Sequence, residues 1–227
     1  MQFVNLGLVF DEYFFLIDMQ NKNAFSLIEI AMVLLIVVLL IAGFTGGLKL
    51  TEKAEISRMI KEINYVETAY NSFVAVYGQP PGDFSRAADI WGATVTSGNG
   101  DIEVDSGTES TQAALHLKAA GLIKNDDDLA IQAFNASEVI IYNASNDFIY
   151  ADAVNLLHIG AADNIDNALL LPYQQEIIDI KIDDGLSQTG VMSYKVAGNV
   201  TDVTCSSGSG YDLDGIAVGC NIVYELD

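Results

Sequence analysis

The segment "FSLIEIAMVLLIVVLLIAGFTGG", residues 25–47, decides the fold because it is apolar almost throughout. As an α-helix, a segment of this length rises about 35 Å, which is enough to cross the hydrocarbon core of a bilayer. Glu29 is its only charged residue and directly precedes an uninterrupted apolar run, residues 30–42. A carboxylate is costly in lipid unless it has a partner or a function. We therefore expect a transmembrane helix whose first turn contains an acid that needs an explanation.

The pattern changes after residue 47 but stays helical. Between residues 48 and 77, apolar side chains recur every three to four positions, which is the period of one helix face. This amphipathic segment therefore continues the first helix, and "GQPPGD", residues 78–83, ends it with glycines and two prolines. The residues expected on its apolar face are Ile56, Met59 or Ile60, Ile63, Val66, Tyr70, Phe73 and Tyr77. The charged residues assigned to other faces are Glu52, Glu55, Lys61, Glu62 and Glu67.

Residues 78–227 are expected to form a small globular head. A helix is predicted from Thr111 to Ile123, with Thr111 as its cap and Gly121 at its end, and another in residues 172–185 that runs into a turn. The predicted strands are residues 137–142, 147–160 and 219–226. The expected fold class is α+β: a long N-terminal helix packed on a small C-terminal head with an antiparallel sheet.

The net charge of −21 is unevenly distributed. Four of the ten basic residues follow the apolar block directly, as Lys49, Lys53, Arg58 and Lys61, and the chain beyond them is strongly acidic. An acidic surface repels phosphate backbones, so nucleic acid is not an expected partner. A solvated acidic surface is the simplest interpretation of the remaining charge.

The first residues do not resemble a leader for export. Residues 1–18 contain three acids and neither Lys nor Arg, so we expect translation to begin at Met19. The leader, residues 1–24, then shrinks to residues 19–24 with the single base Lys22. Lys49 and Lys53 follow the apolar block, so a count of basic residues alone does not favour a cytoplasmic N-terminus. Long domains translocate largely regardless of charge, so the count does not exclude a cytoplasmic N-terminus.

The sequence "AFSLIEIAMVLLIVVLLIA", residues 24–42, resembles the class III signal of type IV pilins and type II secretion pseudopilins. That signal has a small residue, usually glycine, then Phe, a Ser/Thr-Leu-Ile-Glu stretch and a long apolar run, and residues 25–29 match it. The resemblance implies that prepilin peptidase cleaves between Ala24 and Phe25 and methylates the new amino group of Phe25. It also implies that Glu29 pairs with the amino terminus of a neighbouring subunit during assembly.

The resemblance further implies a non-enzymatic structural subunit of a type IV pilus or a pseudopilus in a Gram-negative bacterium. Such a chain is first a single-pass inner-membrane protein in lipid, with its head in the periplasm, and is then carried into the filament, which can reach the cell surface. Its partners would be other pilin-like subunits, prepilin peptidase and the inner-membrane assembly platform. The chain carries alanine at position 24, where glycine is usual in this family.

Two other interpretations stay open. In the first, the protein is a membrane-anchored periplasmic enzyme or binding protein that uses the helix only as a tether, which leaves Glu29 and the amphipathic extension unexplained. In the second, signal peptidase releases the chain after the apolar run, where "IAGFTGG", residues 41–47, is a weak match to an A-x-A site.

Cys205 and Cys220 are the only cysteines. In an oxidising compartment they would form a disulfide, similar to the C-terminal loop of many pilin heads, whereas in a reducing one they would remain thiols. A zinc site is less favoured because there is no C-x-x-C spacing and because His116 and His158 lie far away in sequence.

Oxygen-rich segments offer candidate calcium sites, although neither matches a complete EF-hand loop. One is "NGDIEVD", residues 99–105, and the other contains Asp212 and Asp214 between the two cysteines. Solvated turns are the competing interpretation, and no other cofactor is expected. The "DSGT" of residues 105–108 matches an aspartic protease pattern only once, so we interpret it as a turn, and both histidines as structural.

Overall fold

The computed structural model describes residues 26–105, 107–124, 133–134, 137–142, 155–161, 167–194, 205–214 and 218–226. The chain divides into two compact units, with the boundary between Leu50 and Thr51. Helix α1, Leu27–Tyr77, contributes to both. The fold is α+β, with a long N-terminal helix and a C-terminal head built on an antiparallel sheet, as expected from the sequence.

The second part of α1, residues 51–77, packs on the head through one apolar face. Its side chains there are at most 4% exposed and are Ile56, Met59, Ile63, Val66, Ala69, Tyr70 and Phe73. The spacing of three to four residues predicted this face, and the structure selects Met59 over Ile60, which is only half-buried. Tyr77 is also half-buried and packs at the edge of the core.

The main sheet has four strands in the order β1-β2-β6-β3, and all its pairs are antiparallel. The strands are β1 (Ser137–Tyr142), β2 (Leu156–Ala161), β3 (Met192–Ser193) and β6 (Ile222–Glu225). The predicted strand at residues 137–142 is confirmed. The predicted segments 147–160 and 219–226 contain β2 and β6, although residues 147–154 lie outside the described part of the chain.

The head contains three further helices: α2 (Ala87–Trp91), α3 (Thr108–Ala119) and α4 (Pro172–Ile182). The prediction for α4 is confirmed, and Pro172 opens the helix where its missing N–H costs nothing. The predicted bounds of α3 were wrong, because the helix begins one turn before Thr111. The Glu109 carboxylate stabilises that extra turn by accepting the Asp105 N–H at 2.9 Å. Gly121, at φ +73°, follows the end of α3.

An aromatic cluster joins α1 to the loop that follows it and to helices α2 and α3. The rings of Phe73, Tyr77, Phe84, Trp91 and His116 lie in mutual contact, with neighbouring centroids 4.5–6.5 Å apart. The imidazole accepts the Gly82 N–H at Nδ1 (2.8 Å), so Nε2 carries the proton and donates it to the Thr96 carbonyl (2.8 Å). His116 is therefore a neutral structural residue.

A small hairpin, β4 (Ser206–Ser207) and β5 (Gly210–Tyr211), lies between the two cysteines. Cys205 and Cys220 form a disulfide, and Cys220 also pairs with Leu170 through an isolated β-bridge. Both cysteines are buried. The disulfide expected for an oxidising compartment is thus present, and the loop that it closes contains the hairpin.

Candidate functional site

The first part of α1 exposes its apolar side chains on every face. In the described range 27–44, the large apolar residues are 39% to 89% exposed. An 18-residue window of α1 reaches a mean hydropathy of 3.0, and none of that window is buried. Soluble proteins rarely expose a continuous apolar surface of this size. By length and composition, α1 is able to cross a membrane.

Glu29 lies in the first turn of α1 and helps to start the helix. Its Oε2 accepts the backbone N–H of Ser26 at 3.1 Å, and the Ser26 Oγ accepts the N–H of Ile28 at 3.4 Å. The Glu29 bond is the half of a capping box in which the third helical residue reaches back to the N-cap amide. The Ser26 hydroxyl caps the second helical residue, Ile28, so the two side chains satisfy two backbone donors that the helix leaves unpaired. The Ser-x-x-Glu spacing before an apolar run was a readable signal that our interpretation of the sequence missed. Glu29 therefore has a local structural role in addition to the role that the resemblance implies.

The proposed cleavage site, Ala24 and Phe25, lies outside the described residues.

Farther along α1, Gly43 and Gly47 have no neighbouring atom within 4 Å of an added Cβ. In this unit of a single chain, both glycines therefore lie open to an approaching surface.

The glutamates of the second part of α1 bind the head. The sequence assigned them only to faces other than the apolar one, but all four are half-buried. Glu52 accepts hydrogen bonds from the Tyr173 hydroxyl and from Gln174 Nε2, and the hydroxyl bond lowers the pKa of the Glu52 carboxyl. Glu55 accepts the Phe134 N–H at 3.1 Å, and Glu62 the Ala133 N–H at 3.2 Å.

Glu67 is the fourth of these glutamates and lies beside the sheet. Burial, together with the neighbouring Glu67 carboxylate, raises the pKa of the Tyr224 hydroxyl to about 12. Tyr224 belongs to β6, so this contact joins α1 to the centre of the main sheet. The acids of α1 thus fix the helix to its own head.

The first candidate calcium segment, residues 99–105, is organised by carboxylates that accept backbone amides. Asp83, fully buried, accepts the N–H groups of Gly100 (2.5 Å) and Ile102 (2.7 Å). Burial raises the pKa of the Asp83 carboxyl, and these two amides oppose that shift. Within the segment, Asn99 caps the Asp101 amide and Asp101 caps the Glu103 amide. This hydrogen-bonding pattern supports the competing interpretation of solvated turns.

The second candidate pair, Asp212 and Asp214, follows the β4–β5 hairpin. The Asp212 amide donates to the Cys205 carbonyl at 3.1 Å, and the Asp214 side chain is exposed. In the described residues, neither carboxylate belongs to a group of three or more metal-ligating side chains. The geometry of the described chain therefore adds nothing in favour of calcium at this pair.

One carboxylate cluster was missed by the sequence analysis. Ligand atoms of Asp179, Asp183 and Asp184 lie within 4.8 Å of one another at the end of α4. Each carboxylate already accepts hydrogen bonds: Asp179 from Tyr211 Oη (2.7 Å), Asp183 from the Met192 N–H (3.0 Å), and Asp184 from Thr189 Oγ1 (2.6 Å). The hydrogen bonds of this cluster therefore hold the loop after α4 in place. The spacing D-x-x-x-D-D was visible, but acids at a helix end normally indicate a solvated turn.

Asp179 is fully buried, and burial raises the pKa of its carboxyl to about 6. The Tyr211 hydroxyl and the Gly185 amide oppose that shift, whereas the charges of Asp183 and Asp184 reinforce it. A buried carboxyl that titrates near neutral pH is a common feature of functional sites, but ion networks in folded cores produce it as well. The described residues do not arrange these acids with a nucleophile or a ring nitrogen in a catalytic set.

No protein-family model matches this chain, and neither a curated protein nor a solved structure is significantly similar to it.

Proposed function

We propose that this protein is a non-enzymatic, pilin-like filament subunit. Prepilin peptidase would cleave between Ala24 and Phe25 and methylate the new terminus, and α1 would then carry the subunit from the inner membrane into a type IV pilus or a secretion pseudopilus. The observation that supports the proposal is the sequence of residues 24–42, together with a helix that begins at Leu27, exposes its apolar side chains and continues into a head.

The physical argument concerns what happens to the apolar surface of α1. In the membrane, lipid covers it, and lipid is as apolar as leucine, so packing and polar contacts must favour transfer into a protein filament. A carboxylate at Glu29 that meets the amino group of a neighbouring subunit in a low-dielectric core would provide such a contact. Paired charges also cost less in that core than an isolated one.

The continuation of α1 into the head favours a filament subunit over a tether. A membrane anchor needs about 20 apolar residues and can be joined to its domain by any linker. Here the same helix, Leu27–Tyr77, supplies both the apolar segment and a buried face of the head. The Cys205–Cys220 disulfide is in keeping with a head in an oxidising compartment such as the periplasm.

The decisive experiment is mass spectrometry of the mature N-terminus, on full-length protein isolated from bacterial membranes. We expect the N-terminal residue to be N-methyl-Phe25. A bulky residue at the cleavage site, Ala24→Leu, should leave the chain uncut, whereas Ala24→Gly should be processed at least as well as the natural chain. An uncut natural chain would contradict the proposal, and a terminus near Gly43 would support release by signal peptidase.

A further inference from the structure

The charged residues of α1 are sorted by helix face between residues 51 and 77. The four glutamates are turned towards the head, whereas every charged residue that is exposed there is basic: Lys53, Arg58 and Lys61. At 100° per residue, these three bases lie within about 140° of arc. We call this surface the basic face of α1.

The described head does not neutralise this basic face. Arg58 forms an ion pair with Glu62 at 2.9 Å, at the edge of the face. For Lys53 and Lys61, the described part of the chain places no carboxylate oxygen within ion-pair distance. Two exposed ammonium groups therefore remain available on a surface that carries no exposed acid.

The head has the opposite charge. Residues 78–227 contain 23 of the 31 acidic residues and five of the ten basic ones. In the described part of the head, the exposed acids are Asp89, Asp101, Glu103, Asp105, Asp184 and Asp214, and the exposed bases are Arg86, Lys124 and Lys181. Two heads that approach each other would therefore repel.

We propose that the basic face of α1 docks against the acidic head of a second copy of this chain. This inference deepens the proposed function and rests on it, because a filament subunit must meet further copies of itself. A contact between helix and head uses two different surfaces on each copy, so it leaves one of each free and can extend without closing. Charge complementarity of this kind mainly sets orientation and association rate.

The contact can be located by zero-length carbodiimide crosslinking of the full-length chain in a neutral detergent. An equal mixture of ordinary and ¹⁵N-labelled chains separates crosslinks between copies from those within one copy. We expect crosslinks from Lys53 or Lys61 of one copy to carboxylates in residues 78–227 of the other. A neutral detergent excludes anionic lipid, so a face that binds only lipid headgroups would give no crosslink between copies and would overturn the inference.

Sedimentation of two charge-matched variants then measures how much the basic face contributes to self-association. Lys53→Glu with Lys61→Glu should weaken self-association on the order of tenfold, and added salt should weaken the natural chain in the same direction. The control, Lys124→Glu with Lys181→Glu, makes the same change in net charge on the head and should not weaken it. Equal self-association of the two variants would overturn the inference.

The mature N-terminus separates this inference from the proposed function. A methylated Phe25 without crosslinks from the basic face would overturn the docking contact and leave the filament role standing. Crosslinks between copies of a chain that is not cleaved before Phe25 would support the contact and contradict the pilin-like role.

Discussion

The Tyr211 hydroxyl donates a 2.7 Å hydrogen bond to the buried carboxylate of Asp179. Tyr211 lies in β5, inside the loop that the Cys205–Cys220 disulfide closes, and Asp179 lies near the end of α4. This bond therefore joins the disulfide loop to the helix beside it. Since one partner is a buried acid next to Asp183 and Asp184, the strength of the contact depends on pH.

Asp179 should make the protein less stable as the pH rises from about 4 to above 6. Its pKa is about 6 in the folded state against 3.8 ordinarily, so between these values the folded state holds the proton more tightly than the unfolded chain. The contribution of this group to the free energy of unfolding is thus full below about pH 4 and is lost as the pH passes 6. In Asp179→Asn, the fall in that free energy between pH 5 and pH 7.5 should be about 1.4 kcal/mol smaller, measured by chemical denaturation of the full-length chain in detergent.

Asp184→Asn is the control for this measurement. Asp184 is exposed, and hydrogen bonds from Thr189 and Leu186 lower the pKa of its carboxyl. The Asp184 variant should therefore keep most of the pH dependence between pH 5 and pH 7.5. Unchanged pH dependence in Asp179→Asn would show that another group causes it.

His116 should act in the opposite direction. Burial lowers the pKa of its imidazole, and protonation of Nδ1 would place a proton against the Gly82 N–H. The stability that neutral His116 provides is present above about pH 6.5 and is lost as the pH falls through its lowered pKa. His116→Ala should reduce the free energy of unfolding at pH 7.5 by about 2–4 kcal/mol, because it opens a cavity and removes two buried hydrogen bonds.

Leu115→Ala, on the exposed side of α3, is the matched change for the His116 variant. It should cost less than about 1 kcal/mol, as surface substitutions generally do. A similar loss of stability in both variants would contradict the assignment of His116 to the core.

The disulfide should stabilise the head by limiting the unfolded chain. It joins residues 15 positions apart, for which the loop-entropy model gives about 3 kcal/mol. Cys205→Ser together with Cys220→Ser should lower the free energy of unfolding by that amount. Reductant should shift the unfolding transition of the natural chain and leave that of the double variant unchanged. A reductant-independent transition in the natural chain would show that the cysteines are not paired.

Strong local patterns made most of the fold predictable. The periodic apolar residues of α1 and the short apolar runs of β1 and β6 carry their own secondary-structure signal. Strands β3, β4 and β5 have two residues each and exist only because a partner pairs with them, so they leave almost no trace in the local sequence.

Long-range contacts account for what could not be predicted. In the sequence, Asp83 and Asp179 look like solvated acids, but both are buried in the structure. Their hydrogen-bond donors lie 17 to 32 residues away, at Gly100, Ile102 and Tyr211. The partners of Glu55 and Glu62 are still more distant, about a third of the chain from α1. A carboxylate of this kind can be buried only when the folded chain places hydrogen-bond donors next to it. Those donors come from distant residues, so the local sequence does not predict the burial.

Two substitutions at Glu29 separate helix capping from assembly. Glu29→Gln keeps an acceptor for the Ser26 N–H, since glutamine also fits a capping box, but it removes the charge, whereas Glu29→Ala removes both. If a charge pair drives assembly, both variants should remain cleaved and membrane-bound and should lose filament yield by at least about tenfold, measured on filaments sheared from cells. Ser26→Ala is the converse control, because it weakens the cap and keeps the carboxylate, and it should still assemble. Normal yield from Glu29→Gln, with failure of Glu29→Ala and Ser26→Ala, would reduce Glu29 to a helix cap.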